Sequence, residues 1–135
     1  MSDEELIEIY REAKTIAVVG ASSNPEKHAH RIPAYLQSVG YRIIPVNPTA
    51  DELFGEKALD SLDEVDEPVD VVDVFRPSDQ TPPIARQAAA IGAKVLWLQE
   101  GISSDEAEAI ASEAGMTVVM DRCMGATHER LADRI

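Results

Sequence analysis

The thiol of Cys123 and the imidazole of His128 are the kinds of group from which a nucleophile and its base are made. A spacing of five residues does not by itself bring them together, and no third group is in view to orient the ring. Cys123 is therefore expected to pack as a small apolar side chain. His28 and His30 flank Ala29 with neither a cysteine nor a further imidazole beside them; no metal site is expected, and both read as solvated residues of a helix start. Anion chemistry has better material. The run Gly20-Ala21-Ser22-Ser23-Asn24-Pro25 is small and hydrogen-bonding, and it leads toward a helix whose backbone N–H groups and dipole can hold a phosphate. Its rival is a plain strand-to-helix turn capped by serine and asparagine. Arg76 offers a planar fork of donors for phosphate, against the alternative of an ion pair with Asp73 or Asp79. Glu100, just before Gly101, suits a general base in a crevice and a turn residue equally well.

Most of these residues follow an apolar, β-branched run. Such runs recur from Thr15 to Val19, Arg42 to Val46, Val69 to Phe75, Lys94 to Gln99 and Thr117 to Met120. Near-continuous apolar runs mark strands covered on both faces, hence a parallel sheet. Helical spacing fills the intervals: Leu6, Ile9, Tyr10 and Ala13; Ile32, Tyr35, Leu36 and Val39; Ile84, Ala88 and Ile91; Ala107, Ile110, Ala111 and Ala114. The expected fold is α/β, a Rossmann-like doubly wound domain with a five-stranded parallel sheet and helices on both faces. Boundary signals agree. Ser2 with Glu5 and Ser103 with Glu106 match a capping box, Thr81 before Pro82 suits a helix start, and Gly40, Gly92 and Gly115 suit helix ends. Pro33 demands that its helix begin within about one turn of it. The longer connection from Asn47 to Pro68, with Phe54-Gly55 and a short helix from Ser61 to Val65, is expected to cover one sheet edge. Trp97, Met116, Met120 and Met124 read as core.

Residues 1–135 are expected to form one domain. The net charge of −13 opposes nucleic-acid binding, which needs clustered lysine and arginine to displace counterions. The same charge fits a high-salt cytoplasm or an ordinary acidic surface. No apolar run is long enough for a membrane span, and the acidic start Met1-Ser2-Asp3-Glu4-Glu5 is unlike a secretory signal. One cysteine leaves no internal disulfide, consistent with a cytoplasmic location.

In a doubly wound sheet ligands bind beyond the carboxyl ends of the strands. A dinucleotide fingerprint would need glycine where Ser22 and Pro25 stand and an acid where the chain reads Val46-Asn47-Pro48, so NAD is not expected. Gly20-Ala21-Ser22, Pro45-Val46-Asn47-Pro48, Asp73-Val74-Phe75-Arg76-Pro77, Trp97-Leu98-Gln99-Glu100-Gly101 and Asp121-Arg122-Cys123 together resemble the small stand-alone CoA-binding proteins, which are similar to the CoA-binding domain of succinyl-CoA ligase α subunits and of ADP-forming acyl-CoA ligases. The resemblance runs from about Ile16 to about Leu131.

It implies that Gly20, Ala21, Ser22, Ser23, Asn24 and Pro25 contact the nucleotide and pyrophosphate part of coenzyme A. It further implies that Asn47 and Pro48 flank the adenosine, that Leu98, Gln99 and Glu100 lie along the pantetheine arm, and that Phe75, Arg76 and Pro77 line the same crevice. Lys27, His28, His30 and Arg31 add local positive potential. Ala50 stands where the ligase domain has a lysine, so one phosphate contact is missing, and the ligase's phosphohistidine domain has no counterpart in the chain. The resemblance thus implies a non-catalytic module that binds CoA or an acyl-CoA, alone, as a homodimer or with a ligase-like partner subunit. Its alternatives are a subunit of a split acyl-CoA ligase and a thioester-processing enzyme using Cys123 or Glu100; a mixed disulfide between Cys123 and the CoA thiol is a further role for that residue.

Overall fold

In a computed structural model that describes all 135 residues, the apolar runs become strands and line up in parallel. β1 (Thr15–Val19), β2 (Arg42–Val46), β5 (Val71–Val74), β6 (Val95–Leu98) and β7 (Thr117–Val119) form one sheet in the order β2-β1-β5-β6-β7. Ile16 lies beside Ile43 on one side and Val71 on the other, and Val71 beside Val95, which sets the register across the sheet centre. Alternate residues of each strand feed opposite cores. Ala17, Val19, Val72, Val74, Leu96 and Leu98 pack under α3 (Thr81–Ala90) and α4 (Asp105–Glu113). Ile16, Val18, Val71 and Trp97 pack under α1 (Asp3–Glu12), α2 (His28–Ser38) and α5 (Met124–Leu131). The fold is α/β and Rossmann-like, with helices on both faces. No helix is long and apolar enough to cross a membrane.

Local rules explain most boundaries. Ser2 caps α1 by accepting from Glu5 N–H at 3.2 Å, and its hydroxyl donates to the Glu5 carboxylate at 3.1 Å. Gly40, Gly92 and Gly115 end their helices at positive φ, where glycine alone is unstrained. Three expectations need correction. Ser104, not Ser103, caps α4, accepting from Ala107 N–H at 3.1 Å, while Ser103 N–H donates to Ser78 Oγ at 3.1 Å; adjacent serines satisfy the sequence pattern almost equally, and a tertiary bond separates them. Thr81 begins α3 with Pro82 in its first turn, as expected, and a 3₁₀ turn, Ser78–Gln80, runs directly into it. Val39 lies one residue past α2 and is 43% exposed, so the stripe ends at Leu36. Pro33 sits more than a turn inside α2. Its missing N–H frees the carbonyl of Ala29, which instead accepts from Ser22 N–H at 3.0 Å.

The connection after β2 does cover that edge: Leu59 pairs beside Val46 through Asn47 N–H to Leu59 O at 2.8 Å and Leu59 N–H to Pro45 O at 3.0 Å. It also contains a feature too short to show a period in the sequence. Glu52–Leu53 (β3) and Glu56–Lys57 (β4) form an antiparallel hairpin closed by Phe54 and Gly55, both at positive φ. Leu53 anchors it in the α2 side of the core, and the expected short helix is the 3₁₀ turn Leu62–Glu64.

Candidate functional site

The chain leaves β1 toward α2 on one face and β5 toward α3 on the other, so the crevice of this sheet opens between the carboxyl ends of β1 and β5. There the two strand exits touch. A Cβ on Gly20 would meet Phe75 O and Arg76 Cδ, each at 3.0 Å, and Gly20 has φ +87°, so only glycine fits. Ala21 is buried behind it. Its carbonyl accepts from Asn47 Nδ2 at 2.8 Å, while Asn47 Oδ1 accepts from Thr49 N–H at 2.8 Å and Ala50 N–H at 3.1 Å. The amide of Asn47 is thus occupied in joining the β1 and β2 exits, with Pro48 exposed beyond it.

The turn from Ser22 to Lys27 is built largely by its own side chains. Ser22 Oγ accepts from Asn24 N–H and Asn24 Oδ1 from Glu26 N–H, both at 3.0 Å. His30 Nδ1 lies 2.8 Å from Ser22 O; since a carbonyl only accepts, Nδ1 carries the proton. The N–H groups of Ser23, His28 and Ala29 have no hydrogen-bond partner in the protein, and Ser23, Asn24, Pro25 and Lys27 are exposed. Lys27 and Arg31 beside this turn, and Arg76 across the crevice, make no ion pair; the same holds for Arg11, Lys14, Lys57 and Arg122, while Arg42, Arg86, Lys94, Arg130 and Arg134 each pair with an acid. Arg76 pairs with neither Asp73 nor Asp79. Free N–H donors and free cations at one strand edge of an otherwise acidic chain form a surface suited to an anion.

A cleft of about 560 Å³ runs from the start of α2 to the start of α5. Ala29, Ile32, Phe75 and Ile102 give it apolar walls; His28, Gln99, Glu100, Gly101 and Cys123 supply the polar lining. Phe75, Gln99 and Glu100 are therefore brought together as the sequence suggested. Leu98 is fully buried in the core under α3 and α4 and turns no side chain to the cleft; Pro77 is exposed beyond Arg76. Ile32 and Ile102 also line the cleft, which the sequence does not signal, because an isoleucine within a helix stripe or after a turn reads as ordinary core.

Cys123 is half-buried rather than buried, and it caps α5 with Sγ 3.4 Å from Ala126 N. The α5 helix itself was not read from the sequence: Gly125 and Thr127 interrupt its apolar pattern. Its entry is strapped to the end of β6. Trp97 Nε1 donates to Arg122 O at 2.7 Å, Gly101 N–H to Asp121 Oδ1 at 2.6 Å, and Met124 N–H to Gln99 Oε1 at 3.3 Å. Gln99 Nε2 in turn donates to Asp73 Oδ1. Asp73 is fully buried, its Oδ2 has no partner, and burial pushes its carboxyl up to about 7 against the smaller opposing effects of the Gln99 and Val74 hydrogen bonds. His128 does not serve Cys123. It is buried among Tyr10, Tyr35 and Tyr41, with Nδ1 2.8 Å from Tyr35 Oη, and burial lowers its pKa.

Comparison with known proteins agrees with this geometry. A family model described as a CoA binding domain matches residues 14–129. The uncharacterized protein YneT of Bacillus subtilis (strain 168) is 45% identical over 127 residues, 94% of each chain. A solved protein of Thermus thermophilus superposes with a TM-score of 0.93 at 46% identity, covering 97% of this chain and 99% of that one. The dinucleotide-forming acetyl-coenzyme A synthetase 1 of Ca. Korarchaeum cryptofilum aligns at 34% identity with a TM-score of 0.68 over 78% of this chain and 25% of the synthetase. A family model spanning the sheet from β1 to within α5, together with these relatives, is decisive: the chain belongs to the CoA-binding domain family, related to the CoA-binding region of ADP-forming acetyl-CoA synthetase.

Proposed function

We propose that the protein binds coenzyme A or an acyl-CoA at the carboxyl ends of the parallel strands and acts as a binding or regulatory module rather than a catalyst. The observation that carries this reading is the continuity of two complementary surfaces: an anion-suited turn, Ser22 to Lys27 with Arg31 and Arg76 nearby, opening into the apolar-walled cleft that ends at Gln99, Glu100 and Cys123. A ligand with charged phosphates at one end and a slender pantetheine arm at the other matches that order. The phosphates take the free N–H groups and the guanidinium of Arg76; the arm lies between Ile32, Phe75 and Ile102. CoA should then raise the melting temperature by mass action, by about 2.7 kcal/mol of stability at a hundredfold excess over Kd. Titration calorimetry with CoA, acetyl-CoA and dephospho-CoA tests it directly, and no heat at millimolar ligand refutes it. Arg76→Ala is expected to weaken CoA binding without unfolding the chain.

A second reading, a thioester-processing enzyme, is favoured by one observation: Cys123 and Glu100 both line the cleft. Against it, Cys123 Sγ has only the Ala126 N–H beside it, and His128 is engaged with Tyr35. Release of free thiol from acetyl-CoA that disappears in Cys123→Ala or Glu100→Gln would establish the enzyme in place of the binder.

A further inference from the structure

The tip of the β3–β4 hairpin holds a phenylalanine in a conformation phenylalanine avoids. Phe54 has φ +56°, in the left-handed region that costs a residue with a Cβ about 1 kcal/mol or more, where asparagine or glycine is the usual occupant. Strain of this kind persists when the surroundings fix it, and they do so here from two sides. The Phe54 ring packs on the His30 ring with centroids 4.9 Å apart and planes at 46°, and the Phe54 carbonyl accepts from Gln37 Nε2 at 2.8 Å. Both partners belong to α2. The imidazole so gripped donates from Nδ1 to the carbonyl of Ser22 at 2.8 Å.

That last bond controls more than a carbonyl. The peptide joining Ser22 to Ser23 is trans and planar, so its C=O and N–H point in opposite directions. Holding the Ser22 oxygen on His30 aims the Ser23 N–H away from His30, and this N–H has no partner in the protein. A flip of the same peptide would exchange donor for acceptor and turn a carbonyl toward a bound anion. The preceding peptide is fixed at both ends, by Asn47 Nδ2 on Ala21 O and by Ser22 N–H on Ala29 O, so Ser22–Ser23 is the unit whose orientation rests on the imidazole.

We propose that Phe54 and His30 are positioning residues for the anion-binding turn: the hairpin tip clamps the imidazole, and the imidazole locks the Ser22–Ser23 peptide with its N–H available to a phosphate. The inference rests on the reading of this turn as the phosphate end of the CoA site. It assigns to the hairpin, which lines none of the cleft, a part in setting affinity for the phosphate portion alone.

The test compares wild type with Phe54→Gly, Phe54→Tyr and His30→Ala, titrated with CoA, ADP and pantetheine, alongside the ¹⁵N amide resonance of Ser23. Glycine relieves the strain at position 54 while removing the ring, so Phe54→Gly should fold; if it does not, His30→Ala, which deletes a half-buried ring at a helix start, carries the comparison. Phe54→Gly and His30→Ala should weaken CoA and ADP about tenfold, the equivalent of one hydrogen bond, leave pantetheine unchanged and shift the Ser23 amide. Phe54→Tyr should restore wild-type affinity. Unchanged CoA affinity in both variants, or equal losses for ADP and pantetheine, would overturn the proposal while leaving CoA binding intact. Absence of CoA and ADP binding by wild type would overturn the underlying reading and this inference with it.

Discussion

Asp73 shows how far neighbours can alter one residue. On β5 its carboxyl is fully buried, with one oxygen on Gln99 and the other without a partner, and its pKa rises from an ordinary 3.8 to about 7. A carboxyl that holds its proton more tightly folded than unfolded favours the fold fully below its unfolded value, and that contribution is lost as pH climbs through about 7. Asp73→Asn keeps the acceptor for Gln99 and cannot ionise. Its melting temperature relative to wild type is therefore expected to rise from about pH 4 to about pH 8 and then level, and a difference independent of pH would show that the carboxyl does not titrate in this range. His128 has the opposite sign: burial lowers its pKa, so its contribution is present above the usual imidazole value and lost as pH falls through the lowered one. The two residues oppose each other, which is why the variant-minus-wild-type difference, not the wild-type curve, is the informative measurement. Asp73 was visible in the sequence as a potential partner for Arg76; that it turns instead into the core follows from strand alternation between Val72 and Val74 in a sheet covered on both faces.

At the scale of elements, the proposed site lies where β1 and β5 diverge, and Gly20 records how close they come. Gly20→Ala would place a methyl 3.0 Å from a backbone oxygen and force φ +87° on a residue with a Cβ. Gly40, at φ +109°, has nothing within 4 Å of the position a Cβ would take. Gly40→Ala is thus a control for backbone strain alone. Chemical denaturation should find Gly20→Ala less stable than Gly40→Ala by about 1–3 kcal/mol, with weaker CoA binding only in the former. Equal costs would mean that the β5 exit moves freely away from the turn. The neighbours of Gly20 mark it in the sequence as a candidate site residue, but the reason no other residue fits is a contact with residues more than fifty positions away, which no local pattern encodes.

The whole molecule carries a net charge of −13, and most of its ion pairs are exposed: Arg42 with Glu56 and Glu67, Arg86 with Glu106, Arg130 with Asp3, Arg134 with Asp3 and Glu4, while Lys94 meets the more covered Asp70. Exposed pairs contribute about 0–1 kcal/mol each, while repulsion among the excess acids acts over the entire surface and is screened by salt. Repulsion should win. The melting temperature is expected to rise between about 10 mM and about 0.5 M sodium chloride, and a fall would show that the ion pairs outweigh it.

The sequence makes legible the five strands, four of the helices and the parallel sheet with helices on both faces, because buried strands and helix stripes are local periodicities that survive in one dimension. It missed α5, where Gly125 and Thr127 break the stripe, and the β3–β4 hairpin, whose strands are two residues long. Long-range contacts set the rest: Cys123 lines the cleft and His128 does not approach it, Leu98 faces the core while Gln99 lines the cleft, Asn47 is occupied in joining two strand exits, and Phe54 reaches the anion-suited turn through His30. Each of those outcomes depends on which distant segment supplies the neighbour, and that is set by the spatial order β2-β1-β5-β6-β7 of the strands, not by the residues on either side.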